Sequence, residues 1–161
     1  MSSSLFKVLP ERGVYTLIIL MKRSDDIAVG RLGTFTFPKG YYAYTGSAMA
    51  SLRKRAERHT KKTKTKHWHI DFLLTDDYTE LTSVVASSAK QNIECQANKA
   101  LLAIAGTSIP VPGFGASDCR HGCKSHLIYF GERKPQEKIL NVYRTLFGSN
   151  VIKASVQAFR N

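Results

Sequence analysis

Residues 40–66 read GYYAYTGSAMASLRKRAERHTKKTKTK, and the pattern changes character within this stretch. Its first part is a tyrosine-rich strand pattern that ends in a turn at Gly46 and Ser47. Its second part, from about Met49, has the periodicity of a helix rich in arginine. The stretch therefore predicts a strand, a turn and a basic helix in immediate succession.

The periodicity of this helix separates one arginine from its neighbours. The face predicted to be buried, at i, i+3, i+4 and i+7, comprises Leu52, Arg55, Ala56 and His59. The side chains predicted to turn outward are Arg53, Lys54 and Arg58. An arginine at the edge of a buried face can hold a phosphate in fixed geometry. The alternative is a solvated helix in which the Arg55 stem only covers apolar surface.

Net charge is the strongest signal in the overall composition. The chain has 24 basic and 12 acidic residues, and residues 53–66 contain eight of the basic residues against Glu57 alone. Such a local concentration favours a polyanionic partner, and we predict DNA, with RNA left open. The candidate nucleic-acid-binding residues are Arg53, Lys54, Arg58, Lys61, Lys62, Lys64 and Lys66. Membrane-surface binding is disfavoured, because the apolar face of the helix is small and lacks Trp or Phe.

The length of 161 residues fits one domain, 1–161, with a core at about 13–131 and a C-terminal helix and tail at 135–161. No apolar run approaches the roughly 18 residues of a membrane span. The first residues lack the pattern of an export signal, so we expect a cytoplasmic protein. Nothing in the sequence indicates the oligomeric state.

Alternating and continuous apolar runs predict an α/β (α+β) domain, with a small, mainly antiparallel sheet flanked by helices. The predicted strands are 13–22, which is central and buried on both faces, 28–32 with 34–37, 81–87 and 125–130. Asp25 and Asp26 are predicted to form a turn between the first two strands. Further helices are predicted at 91–105 and from Pro135.

Several segments resemble, in order, the motifs of the GIY-YIG nucleases. They are Gly13-Val14-Tyr15, Tyr44-Thr45-Gly46, Leu52-x-x-Arg55 with His59, and Glu94 in a later helix. The segments GYYAYTGSA, RKRAERH, HWHID, FGASDC and SHLIYF also resemble the small archaeal and bacterial GIY-YIG-like proteins known as domain of unknown function 123. The chain departs from the name-giving pattern at Thr45 and Ser47, and it has no clear match to the family's later asparagine.

This resemblance implies a GIY-YIG-like fold and a DNA endonuclease acting in repair, recombination or defence. It implies that Glu94 binds one Mg²⁺ or Mn²⁺, an assignment that suits a hard oxygen ligand. Tyr15 is then the general base or the group that orients the attacking water, with Tyr44 as its partner, and Arg55 and His59 complete the catalytic set. Without the resemblance, Glu94 only complements the helix dipole, and most tyrosines of such a sheet are core residues.

The HWHID segment permits a different enzyme. His67, His69 and Asp71 resemble the zinc motif of metallo-β-lactamase-fold hydrolases, although Phe72 stands where another histidine is expected. Our preferred interpretation is that His67, His69 or Asp71 lines the nuclease cleft or caps a helix, with Trp68 packed on the core. A non-catalytic nucleic-acid-binding module is the remaining alternative.

The last candidates are in a glycine- and cysteine-containing loop. Ser117 and Asp118 are predicted to face the cleft. The segment CRHGCKSH, residues 119–126, offers thiolate and imidazole ligands, but it lacks the usual C-x-x-C pair. We therefore expect ordinary reduced thiols and no requirement for zinc, with a structural zinc site as the alternative.

Overall fold

The computed structural model describes residues 6–89, 91 and 93–156. Its elements are, in order, β1 (Gly13–Met21), β2 (Asp25–Ala28), a 3-10 turn (Gly30–Leu32), β3 (Thr34–Phe37), β4 (Gly40–Ala48), α1 (Leu52–His59), α2 (His69–Leu74), β5 (Thr79–Ser88), α3 (Glu94–Leu102), β6 (Leu127–Gly131), α4 (Gln136–Phe147) and β7 (Val151–Ser155). The predicted α+β fold class is confirmed.

Five strands form an antiparallel sheet in the order β6-β4-β1-β5-β7, and β2 and β3 pair as a separate ribbon. β1 lies at the centre, and successive side chains point to opposite faces. Leu17 packs with residues of α1 and α2 on one face, whereas Ile18 packs with residues of α3 and α4 on the other. The prediction of a central strand buried on both faces is confirmed, and it explains the nearly continuous apolar sequence of β1.

Two predicted turns are wrong. Asp25 and Asp26 belong to β2, where they pair with β3. Gly46 and Ser47 remain within β4, because their backbone stays paired with β1. The chain leaves the sheet only after Ala48, so α1 begins at Leu52 rather than at about residue 49.

The C-terminal elements are part of the same sheet and its cover. α4 packs its apolar face on the sheet, and the Tyr143 hydroxyl lies 2.7 Å from Thr16 Oγ1 of β1. β7, which the sequence pattern did not predict, pairs with β5. The predicted tail also includes residues 157–161, which lie outside the described part.

The basic segment after α1 is anchored by a buried carboxylate. Asp71 accepts two hydrogen bonds from the Arg58 guanidinium, at 2.7 and 2.8 Å, and two from backbone N–H groups at the start of α2. Lys64 Nζ lies 3.8 Å from the same carboxylate. Arg58 therefore does not turn outward as predicted, because the buried charge of Asp71 holds it.

None of the helices in the described residues combines the length and the apolar character needed to cross a membrane.

We expect Asp71→Asn to lower the free energy of unfolding by about 3–5 kcal/mol, because it leaves Arg58 half-buried without its charged partner. Urea denaturation at neutral pH measures the change. The matched control is Glu11→Gln, which breaks the more exposed 3.7 Å ion pair with Arg53 and is expected to cost less than about 1 kcal/mol. Equal effects of the two substitutions would contradict the anchoring role of Asp71.

Candidate functional site

Two tyrosines share one face of the sheet at the junction of β1 and β4. Tyr15 is paired with Gly46, and Leu17 with Tyr44, so the two tyrosines are diagonal neighbours. A Cβ atom at Gly46 would lie 2.8 Å from the Tyr15 hydroxyl oxygen, and one at Gly115 would lie 2.9 Å from the Tyr44 ring. The two glycines are therefore needed to make room for the two rings.

Tyr15 is joined to the last residue of α1. Its hydroxyl lies 3.0 Å from His59 Nε2, and both side chains are buried. Burial, together with the nearby charge of Lys64, lowers the pKa of His59 to about 3, so the imidazole is neutral at physiological pH. Burial also raises the pKa of Tyr15 above its ordinary value, although Arg55 opposes this shift. The pair is thus a neutral phenol beside a neutral imidazole.

Arg55 is positioned by contacts on two sides. Its Nη1 donates a 2.7 Å hydrogen bond to the Ser47 carbonyl, and its guanidinium stacks 4.9 Å from the Trp68 ring centre. Trp68 also contacts Arg58 at 4.6 Å and is 40% exposed, so the prediction that it packs on the core is wrong. These contacts hold the Arg55 cation in one orientation.

Glu94 reaches the same region from the other side of the sheet. It is the first residue of α3, which packs on the second face of the sheet. β6 pairs with β4 only from Tyr41 to Tyr44 and leaves the end of β4 open. The half-buried Glu94 side chain therefore lines a cleft that also contains Tyr15 and Tyr44.

This cleft has a volume of about 420 Å³. It brings together all five predicted catalytic residues: Tyr15, Tyr44, Arg55, His59 and Glu94. Four predicted cleft residues also line it: His67, His69, Ser117 and Asp118. Asp71 does not line the cleft, because its carboxylate is fully buried and bound to Arg58. It caps the start of α2 instead, which was the other role predicted for this segment.

The HWHID segment does not form the zinc-hydrolase motif that was the alternative interpretation of its sequence. His69 Nδ1 accepts a 2.9 Å hydrogen bond from the Gly115 backbone N–H, while Asp71 points into the salt bridge. His69 thereby links the start of α2 to the loop on the opposite side of the cleft.

A second cavity of about 320 Å³ adjoins the first, and Glu94, Asp118 and His126 line both. Beside it, one ligand atom from each of four residues lies within 4.8 Å of the others: Cys95, Cys119, Cys123 and His126. The sequence spacing pointed only to the last three, because Cys95 lies 24 residues before Cys119 and no spacing pattern joins it to them. The only signal in the sequence was its position next to Glu94.

A family model described as "Domain of unknown function DUF123" matches residues 14–148. The chain belongs to this family. The matched range includes the five cleft residues, from Tyr15 to Glu94, and the Cys/His cluster up to His126. No curated protein and no solved structure matches the chain.

The predicted nucleic-acid-binding residues of the DUF123 protein differ in exposure and in their contacts. Lys54, Lys61, Lys62 and Lys66 are exposed. Four of the seven donate internal hydrogen bonds: Arg53 Nε to the Leu9 carbonyl, Lys62 Nζ to the Asp76 and Thr79 carbonyls, Lys64 Nζ to the Arg58 carbonyl, and Arg58 to Asp71. Burial lowers the pKa of Lys64 to about 8, although Asp71 opposes the shift. Several basic side chains therefore stabilise the fold through internal hydrogen bonds.

His59 predicts a pH dependence of stability. Its pKa is lowered from 6.5 in the unfolded chain to about 3 in the fold, so between these values only the unfolded state binds the proton. The contribution of His59 to the free energy of unfolding is therefore fully present above pH 6.5, and it is lost as the pH falls towards 3. The groups whose charges act on it are Lys64, Asp71, Arg58 and Arg55.

We expect the free energy of unfolding to decrease between pH 6.5 and 4.5 with a slope of up to about 1.4 kcal/mol per pH unit from this group. Urea titrations at several pH values measure it, and His59→Gln should remove this contribution. His67→Gln, which alters an exposed histidine, is the control and should keep the parent slope. An unchanged slope in His59→Gln would contradict the neutral, buried imidazole.

Proposed function

We propose that this DUF123 protein is a divalent-metal-dependent DNA endonuclease that hydrolyses phosphodiester bonds, in repair, recombination or defence. One observation carries the proposal: two tyrosines, an arginine, a histidine and a glutamate from β1, β4, α1 and α3 converge in one polar cleft. The same residues occupy, in order, the motifs by which the sequence resembles the GIY-YIG nucleases, and that resemblance supplies the type of reaction.

Glu94 suits the divalent ion that this reaction needs. Its carboxylate is a hard oxygen donor at the edge of an open cleft, beside the exposed carboxylate of Asp118. Mg²⁺ and Mn²⁺ prefer oxygen ligands, and Mg²⁺ retains several of its waters. A bound ion would polarise the phosphate and neutralise charge that develops on oxygen.

Arg55 would act on the phosphate. Its guanidinium is fixed by Ser47 and Trp68 before substrate binds, so orienting it costs little during the reaction. A fixed fork of N–H donors fits the non-bridging phosphate oxygens. Arg55 would therefore stabilise the additional negative charge of the transition state.

Tyr15 would orient the attacking water rather than remove its proton as a phenolate. Burial raises the pKa of Tyr15, which disfavours the anion, and neutral His59 can accept the phenolic proton in a hydrogen bond. The lone pairs of the Tyr15 oxygen then remain available to accept a hydrogen bond from water. Of the two roles that the sequence left open, water orientation is the one we propose.

We expect Glu94→Gln to abolish Mg²⁺-dependent cleavage while DNA binding persists, because the substitution keeps the size of the side chain and removes its charge. Single-turnover cleavage of labelled duplex, flap, junction, abasic and single-stranded substrates measures the rate. Glu137→Gln is the matched control, since Glu137 also lies in the first turn of a helix but on α4. It should lose the same helix-dipole contribution and retain activity.

In the same assay, Arg55→Ala should lose about 10²–10³ in rate, and the exposed arginine variant Arg144→Ala should not. Thermal melting shows whether each variant is folded. Cleavage by Glu94→Gln at the parent rate would contradict the assignment of the site. A folded parent that binds DNA tightly and cuts none of these substrates would favour the non-catalytic module.

The exposed lysines predict a salt dependence of DNA binding. We expect the triple variant of Lys54, Lys61 and Lys66 to Gln to reduce the log–log salt slope by about 0.9 for each duplex phosphate that is no longer neutralised, and so by up to about 2.7. Fluorescence anisotropy at several salt concentrations measures the slope. The control replaces three exposed lysines elsewhere, Lys134, Lys138 and Lys153. A larger change in the control would place the binding surface near α4 and β7.

A further inference from the structure

The four residues of the Cys/His cluster bring their ligand atoms within 4.8 Å of one another, close enough to share one metal ion. Cys95 Sγ lies 3.5 Å from Cys119 Sγ and 3.8 Å from His126 Nε2. Ligands at about 2.3 Å for sulfur and 2.0 Å for nitrogen, set at tetrahedral angles around zinc, are about 3.5–3.8 Å apart. These two separations match edges of such a tetrahedron, and the other separations among the four ligand atoms lie within 4.8 Å.

His126 has the orientation of a metal ligand. Its Nδ1 lies 3.2 Å from the Thr45 carbonyl oxygen, which can only accept a hydrogen bond, so Nδ1 carries the proton. The lone pair is therefore on Nε2, the atom that faces Cys95. A hydrogen bond from the other ring nitrogen to a backbone carbonyl is the usual support for a zinc-binding histidine.

The backbone fixes the position of this ring. The backbone N–H of His126 donates to Phe114, and its carbonyl accepts from Thr45. The residue is buried, with 4% of its surface exposed. The ligand is thus held in place by contacts that do not involve the cysteines.

A disulfide explains the cluster less well. The Cys95–Cys119 separation of 3.5 Å is far above the roughly 2.05 Å of a disulfide bond. A Cys95–Cys119 disulfide would also leave the Cys123 thiol and the Nε2 lone pair of His126 without a role in the cluster. Three thiols and one imidazole are a complete structural zinc set.

We propose that Cys95, Cys119, Cys123 and His126 bind one structural Zn²⁺ that fixes one wall of the cleft. The sequence analysis gave a structural zinc site as the alternative to reduced thiols. We now prefer that alternative to the expectation that zinc is not required. All four coordination positions are filled by protein, so this zinc has no open position for a hydrolytic water.

The zinc holds together the segments that carry the acidic cleft residues. Cys95 directly follows Glu94 in α3, and Cys119 directly follows Asp118 in the loop. Among the described residues, further contacts between α3 and this loop include the hydrogen bonds from the Asn98 side chain to the Ser125 carbonyl and from Lys99 Nζ to the His121 carbonyl. The part of this inference that concerns Glu94 rests on the proposed function, whereas the zinc site itself does not.

Metal content tests the site directly. The full chain, purified without chelator under reducing conditions, should contain one zinc per chain by elemental analysis. Co²⁺ exchanged into it should show the intense visible bands of a tetrahedral thiolate site. Cys95→Ser, Cys119→Ser and His126→Asn should each lose most of the zinc, and His121→Asn, which alters a neighbouring exposed histidine, should keep it.

Hydrogen exchange tests the role of the zinc in the parent protein. Removing zinc with a chelator, with the thiols kept reduced, should increase exchange in residues 113–126 and in the first turn of α3, and re-addition of zinc should reverse the change. Unchanged exchange would contradict the positioning role. Metal-free reduced protein that takes up no equimolar zinc, or a native Cys95–Cys119 disulfide seen by mass spectrometry, would overturn the site. These readouts do not depend on whether the protein cuts DNA.

Discussion

The shape of the cleft depends on the buried carboxylate of Asp71. Two hydrogen bonds from Arg58 and two from the backbone at His67 and Trp68 converge on it. Burial alone would raise the pKa of Asp71, but these donors outweigh it and lower the pKa to about 2, so the group is ionised throughout the physiological range. The same carboxylate binds the Trp68 backbone N–H and Arg58, and the Trp68 ring contacts both Arg58 and Arg55. Asp71, which does not line the cleft, therefore helps to position Arg55, which does.

The sheet contributes Tyr15 and Tyr44 to the cleft, and two glycines make room for their rings. A Cβ atom at Gly46 would collide with Tyr15 and one at Gly115 with Tyr44, so the positions of both rings depend on the absence of side chains at these two glycines. His69 connects α2 to the loop that contains Gly115, because it belongs to α2 and accepts a hydrogen bond from the Gly115 backbone N–H. The side chains to which we assign catalytic roles therefore belong to segments that are held in place by the protein itself, which is the condition for electrostatic preorganisation.

Local patterns predicted the elements better than the contacts between them. The apolar run of β1 and the register of Arg55 and His59 on α1 were readable because each depends on side-chain period alone. Arg58 was misassigned, since its direction depends on Asp71, which lies 13 residues away in the next helix. Cys95 was not joined to the cluster for the same reason, because its partners come together only when α3 and the later loop pack. The access of Glu94 to the cleft likewise depends on where β6 begins, because the strand pairing of β4 with β6 stops at Tyr44 and Leu127.

Helix geometry explains how Glu94 and Cys95, which are adjacent in sequence, could bind two different metal ions at separate sites. Successive residues of a helix point about 100° apart, so Glu94 and Cys95 at the start of α3 face different surroundings. Glu94 offers oxygen to the open cleft, which suits Mg²⁺ or Mn²⁺ with their bound waters. Cys95 points to two other thiols and an imidazole, a soft set that prefers zinc and leaves no position for water. Ligand softness and a single step along one helix would thus separate the proposed catalytic ion from the proposed structural one. The proposed zinc would also support Glu94, because Glu94 and Cys95 are joined by a peptide bond.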